Sequence, residues 1–124
     1  MTRILIIDDD EDYLELMSSF LQKEGYETKV LNDGKEAIPE ILKFSPDLVI
    51  SDIMMPGITG GAILEAICEN FGNKLPVIIS SGTSLKMKFP RSALVSHCPK
   101  PIDFPKLIQT IEQLLNKAEQ NKNK

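Results

Sequence analysis

The chain has 124 residues, a formal charge of −4, 42% apolar residues and 26% charged ones, a profile of one soluble globular domain rather than a disordered or fibrous chain. Its net negative charge argues against nucleic acid as a direct partner, and no apolar run approaches the ~18 residues of a membrane-spanning helix. The start lacks the basic-then-apolar order of a signal peptide, and Cys68 and Cys98 show no metal-binding spacing, which reads as two reduced thiols in a cytoplasmic protein.

Ile4-Leu5-Ile6-Ile7 is a continuous apolar run and reads as a buried strand. It stops at Asp8-Asp9-Asp10-Glu11-Asp12, after which the apolar period changes: Tyr13, Leu16, Met17, Phe20 and Leu21 predict one helical stripe, with Gly25 as its C-terminal stop. Acids in a first helical turn complement the helix dipole, and Asp10 is assigned to capping. That accounts for Asp10 to Asp12, but not for two like charges, Asp8 and Asp9, at the end of a strand.

Thr28-Lys29-Val30-Leu31 is a more polar strand, as expected of a sheet edge. Asn32-Asp33-Gly34 turns into a helix carrying Ala37, Ile38, Ile41 and Leu42, where Pro39 should kink the helix or loosen its first turns. Ser45-Pro46-Asp47 returns the chain to Leu48-Val49-Ile50-Ser51-Asp52, an apolar strand closed by a carboxylate and followed by the turn former Pro56-Gly57. Thr59 is a candidate N-cap for a third helix with Ile63, Leu64, Ile67 and Phe71 on its core side.

Pro76-Val77-Ile78-Ile79-Ser80 reads as a fourth buried strand leading into the hydroxyl-rich Ser81-Gly82-Thr83-Ser84. Leu85 to Arg91 has poor helical periodicity and contains Pro90, and Lys86, Lys88 and Arg91 make it locally basic. Ala93-Leu94-Val95-Ser96 is expected to be a brief fifth strand with His97 at its end, followed by Lys100 between two prolines. From the N-cap candidate Asp103, the stripe Phe104, Leu107, Ile108, Ile111, Leu114 and Leu115 predicts an amphipathic helix. One domain over residues 1–119 and a polar, fraying tail over 120–124 are expected.

Strands alternating with helices call for an α/β fold, a doubly wound parallel sheet. Right-handed crossovers then gather every strand's carboxyl end on one edge. The residues there are Asp8, Asp9, Asp52, Ser81 and Lys100. Neighbouring carboxylates repel one another, a conflict that a hard divalent cation such as Mg²⁺ relieves with oxygen ligands. Lysine and a serine hydroxyl are suited to holding an anion such as phosphate, which leaves Asp52 able to act as nucleophile towards a phosphoryl donor.

The chain resembles the response-regulator receiver domains of two-component signalling, including the stand-alone chemotaxis-regulator type. The resemblance lies in Ile6-Ile7-Asp8-Asp9-Asp10, in Ser51-Asp52-Ile53-Met54-Met55-Pro56-Gly57-Ile58-Thr59-Gly60, in Leu75-Pro76-Val77-Ile78-Ile79-Ser80-Ser81-Gly82 and in Lys100-Pro101, in the family's order. It implies a flavodoxin-like five-stranded sheet of order 2-1-3-4-5. It also implies that Asp52 is phosphorylated by a histidine kinase or histidine phosphotransfer protein, and that Mg²⁺ is held by Asp8, Asp9, Asp52 and the backbone carbonyl of Met54. Ser81 would be the hydroxyl that turns towards the phosphoryl group, Lys100 the cation that pairs with it, and Lys100-Pro101 a cis bond. Such a domain is no enzyme beyond taking its own phosphoryl group from a donor and losing it again.

Two departures from the family stand out. His97 occupies a position usually held by Tyr or Phe, whose ring moves with the switch hydroxyl, and the stretch from Gly82 to His97 is short and broken by Pro90. Cys98 is near the site and reads as a packed thiol. Two other functions remain open on the residues: a receiver-shaped interaction module that is not phosphorylated, and a small haloacid-dehalogenase-type phosphatase with Asp8 as nucleophile. The second leaves Asp52 without a role.

Overall fold

The computed structural model describes residues 1–52, 60–81 and 94–122. Its elements run β1 (Arg3–Ile7), α1 (Glu11–Lys23), β2 (Glu27–Leu31), α2 (Ala37–Phe44), β3 (Leu48–Asp52), α3 (Gly60–Phe71), β4 (Val77–Ser81), β5 (Val95–Pro99) and α4 (Phe104–Lys122). The five strands form one sheet in the order β2-β1-β3-β4-β5, and each neighbouring pair is parallel. Fold class and strand order are those expected from the sequence. Met54, Thr59 and the stretch around Pro90 lie outside the described residues.

The apolar runs are continuous because the sheet is covered on both faces. Ile4, Ile6, Leu48, Ile50, Ile78 and Cys98 pack against Leu14, Met17 and Leu21 of α1 and Leu107, Ile111 and Leu114 of α4. The alternate residues Leu5, Ile7, Val49, Val77 and Ile79 pack against Ala37 and Ile41 of α2 and Ile63, Leu64 and Ile67 of α3. Phe20 and Phe104, with ring centroids 4.2 Å apart, join α1 to α4.

Helix ends follow local chemistry. Asp10 caps α1 by accepting from the Tyr13 N–H. Gly25, at φ +95°, closes it: the Gly25 N–H donates to the Gln22 carbonyl and the Tyr26 N–H to that of Leu21, a Schellman arrangement that uses a left-handed residue. Asp103 caps α4 by accepting from the Lys106 N–H.

Four expectations need correction. In α1 the sheet-facing line passes through Leu14, Met17 and Leu21, so Leu16 is 55% exposed; the helix's apolar arc is wider than the stripe that the sheet covers. In α2, Leu42 is 66% exposed, and Pro39 lies in the first turn, where a missing N–H breaks no bond. The looser geometry is the 3₁₀ turn Gly34–Glu36 just before it. β5 runs further on than expected, because pairing along all of β4 brings Val95 opposite Val77 and Pro99 opposite Ser81. His97 is therefore mid-strand, opposite Ile79, and an edge strand accommodates both it and Pro99. Finally, α4 continues to Lys122, into the stretch expected to fray. Among the described residues no helix is long and apolar enough to cross a membrane.

Candidate functional site

Three elements deliver the site from their carboxyl ends. Asp8 follows the last residue of β1, Asp52 is the last of β3, and Lys100 follows the last of β5. Carboxylate oxygens of Asp8, Asp9 and Asp52 lie within 4.8 Å of one another, with Asp8 buried, Asp9 exposed and Asp52 between these extremes. Lys100 Nζ donates to Asp8 Oδ2 at 2.8 Å and stands 3.6 Å from Asp52 Oδ2. The Lys100-Pro101 bond is cis.

Asp8 is 1% exposed. Its backbone N–H continues the ladder to the Leu31 carbonyl, and its Oδ1 accepts from the Asp10 N–H at 2.9 Å. Burial pushes the Asp8 carboxyl up from its ordinary value, further than the hydrogen bonds from Lys100 and Asp10 pull it down, and Asp52 adds to the rise. For Lys100, burial opposes the charge, but the hydrogen bond and charge of Asp8, helped by Asp52, outweigh it and raise its pKa. Among the described residues, one ammonium meets three carboxylates, which leaves the cluster negative. Hard oxygen donors gathered at one point with surplus negative charge suit a small divalent cation such as Mg²⁺.

The other expected site residues are placed as follows. Ser81 ends β4, paired in register with Pro99; only its backbone is among the described parts of the chain. His97, three residues before Lys100, is half-buried; its Nε2 is buried and has no hydrogen-bond partner among the described residues. Cys98 is a buried free thiol in the core, its pKa raised by burial.

Two residues at the site were not picked out from the sequence. The Tyr13 ring lies 4.3 Å from Lys100 Nζ, and its hydroxyl is 2.7 Å from Ser80 Oγ. Tyr13 read as a core residue of α1. Ser80 carried one signal: it is a hydroxyl in a strand position that, by alternation with Ile78, faces the α1 and α4 core.

The sequence model of the family described as "Response regulator receiver domain" matches residues 4–112. The chain belongs to the response-regulator receiver family. Relatives of this receiver domain include the transcriptional regulatory protein PcoR of Escherichia coli, 30% identical over 121 residues, which are 95% of this chain and 53% of PcoR. Another is the DNA-binding response regulator MtrA of Mycobacterium tuberculosis, 34% identical over 77 residues, 62% of this chain and 33% of MtrA. A putative two-component response regulator of Arabidopsis thaliana is 32% identical over 111 residues, 86% of this chain and 18% of that protein. The chain thus spans about a fifth to a half of the length of these relatives.

Among solved structures, a CheY-like receiver domain protein of Methanospirillum hungatei superposes with a TM-score of 0.88 at 25% identity, covering 98% of both chains. The response regulator TrrA of Thermotoga maritima, solved in complex with Mg²⁺ and BeF, superposes at 0.82 with 31% identity over 92% of this chain and 99% of its own. This receiver domain is accordingly a component of two-component signalling, a system in which such domains work with histidine kinases or phosphotransfer proteins.

Proposed function

We propose that Asp52 accepts a phosphoryl group from a histidine kinase or histidine phosphotransfer protein, in a Mg²⁺-dependent reaction in the cytoplasm. The observation that carries this reading is the convergence of Asp8, Asp9 and Asp52 within 4.8 Å, with Lys100 Nζ 3.6 Å from Asp52. Asp8, Asp9, Asp52 and the Met54 carbonyl would hold the metal. Mg²⁺ bound there supplies positive charge that offsets the carboxylates and the oxygens of an arriving phosphoryl group.

Within the chain, a carboxylate oxygen of Asp52 forms the new bond to phosphorus as the bond to the donor breaks. Lys100 then exchanges part of its hold on Asp8 for the phosphoryl oxygens, and the Ser81 hydroxyl donates to them. His97, on the strand that leads to Lys100, takes the family's aromatic switch position, where its Nε2, unpartnered among the described residues, can gain a partner when the switch moves. A phosphatase with Asp8 as nucleophile has less support: Asp8 is 1% exposed, and its two oxygens already accept from Asp10 and Lys100.

Incubation with Mg²⁺ and acetyl phosphate should yield a base-labile acyl-phosphate adduct. An adduct that persists in Asp52→Asn, or the absence of any, contradicts the proposal. Turnover of a generic phosphate ester that disappears in Asp8→Asn would favour the phosphatase instead. Binding of a partner that ignores the Asp52 adduct would point to an interaction module that is not regulated by phosphorylation.

A further inference from the structure

Tyr13 is anchored at both ends. Its backbone belongs to the first turn of α1, where its N–H is held by Asp10, and its hydroxyl is tied to Ser80 Oγ at 2.7 Å. Ser80 is itself 1% exposed and sits in register between Asp52 on β3 and Cys98 on β5. A buried hydroxyl among apolar residues costs stability unless it finds a partner, and Tyr13 supplies one. The ring is thereby fixed over the strand that flanks Asp52.

The ring face carries the negative side of its quadrupole towards the Lys100 ammonium, 4.3 Å from the centroid. Lysine is a point charge on a flexible stem, and here it rests nearer to Asp8, at 2.8 Å, than to Asp52, at 3.6 Å. An anion arriving on Asp52 must draw the ammonium away from Asp8. The ring offers a surface on which the cation changes partner without passing into solvent. Burial keeps the Tyr13 phenol protonated by raising its pKa, despite the lowering effects of Ser80 and Lys100, so the hydroxyl stays neutral next to the acids.

We propose that Tyr13, braced by Ser80, is a positioning residue that holds Lys100 in reach of an anion on Asp52. The inference rests on the reading of Asp52 as phosphoacceptor. It adds a requirement for a residue on α1 and for a serine next to, but distinct from, Ser81.

The test follows two signals in Tyr13→Phe, Ser80→Ala, the double variant and Tyr13→Leu, with Lys100→Ala as control. The first is the Hε–Cε NMR resonance of isotopically labelled Lys100 in the metal-free protein, which the ring current shifts. The second is the rate of acyl-phosphate formation from acetyl phosphate with Mg²⁺. Tyr13→Leu should abolish the ring-current shift and slow labelling about tenfold. Tyr13→Phe and Ser80→Ala, which keep the ring, should each move the resonance and slow labelling by about threefold. The double variant should be no slower than either single one, because both remove the same bond.

Wild-type resonance and labelling in Tyr13→Phe and Ser80→Ala, with loss in Lys100→Ala, would overturn the positioning role, and those two variants decide the matter even if Tyr13→Leu fails to fold. A Lys100 resonance that responds as expected while wild-type protein forms no adduct would instead remove the phosphoacceptor reading and leave the Tyr13–Lys100 arrangement standing.

Discussion

Lys100 and Asp8, 92 positions apart in the chain, are joined by a 2.8 Å hydrogen bond. The acid is 1% exposed and the lysine side chain 26% exposed, so the pair is asymmetric: the lysine could be solvated alone, but the carboxylate could not. Lys100→Ala should therefore destabilise the metal-free protein by about 2 kcal/mol, chiefly through the uncompensated buried charge. Urea unfolding in a chelator measures it, and added Mg²⁺ should recover part of the loss. A variant as stable as wild type would show that Asp8 does not depend on its partner.

The same burial gives stability a pH dependence of known sign. The folded-state pKa of Asp8 is raised above its ordinary 3.8, so the native chain binds this proton more tightly than the unfolded chain does. Its contribution to stability is greatest in acid and falls as pH rises from the unfolded value through the folded one. Asparagine cannot titrate, so the stability of metal-free Asp8→Asn relative to wild type should grow as pH rises from the carboxyl's ordinary value of 3.8 through its raised one. Unfolding free energies of both proteins across that range test this; a relative gain for wild type with rising pH would contradict it.

Divalent cation should act as a folding ligand. At a hundred times its dissociation constant, Mg²⁺ should stabilise the protein by about 2.7 kcal/mol, seen as a rise in the thermal midpoint. Asp9→Asn and Asp52→Asn, which each remove a proposed ligand and a charge, should abolish most of the rise. An equal rise in those variants would place the ion elsewhere.

Gly25 offers a test of the fold away from the site. It sits at φ +95°, and a Cβ added there would meet no atom within 4 Å. Replacement by alanine therefore meets no obstacle in space, only a backbone conformation that L residues disfavour. Gly25→Ala should cost about 1 kcal/mol by chemical denaturation, with no change in metal affinity. A neutral substitution would mean that the end of α1 relaxes freely.

Much of the architecture was legible because both faces of the sheet are covered. Ile4 to Ile7 and Leu48 to Ile50 advertise themselves as unbroken apolar runs, and the acids that follow at their carboxyl ends, Asp8 directly and Asp52 after Ser51, are the ones delivered to the shared edge. Lys100 was legible for a similar reason, set off by its prolines. Periodicity failed where exposure is graded. Leu16 is as apolar as Leu14, and only the placement of the sheet decides that Leu14 is covered. β5 was misplaced because an edge strand tolerates Ser96 and His97, so polarity gave no sign of its limits. The Tyr13–Ser80 bond spans 67 positions, and no local pattern announces a contact made by packing a helix across a strand.

The strand order β2-β1-β3-β4-β5 also bears on the making of the protein. Asp8, Asp9 and Asp52 all lie within the first 52 residues, while Lys100 follows the outermost strand. During synthesis the N-terminal segment emerges first, so the nascent chain carries its acids before their counter-charge has been translated. Until β5 docks, the acidic edge opposes its own closure, and a product truncated before that strand would lack the ammonium that pairs with Asp8. On the proposed reading of Asp52, competence for phosphoryl capture is thus coupled to completion of the sheet.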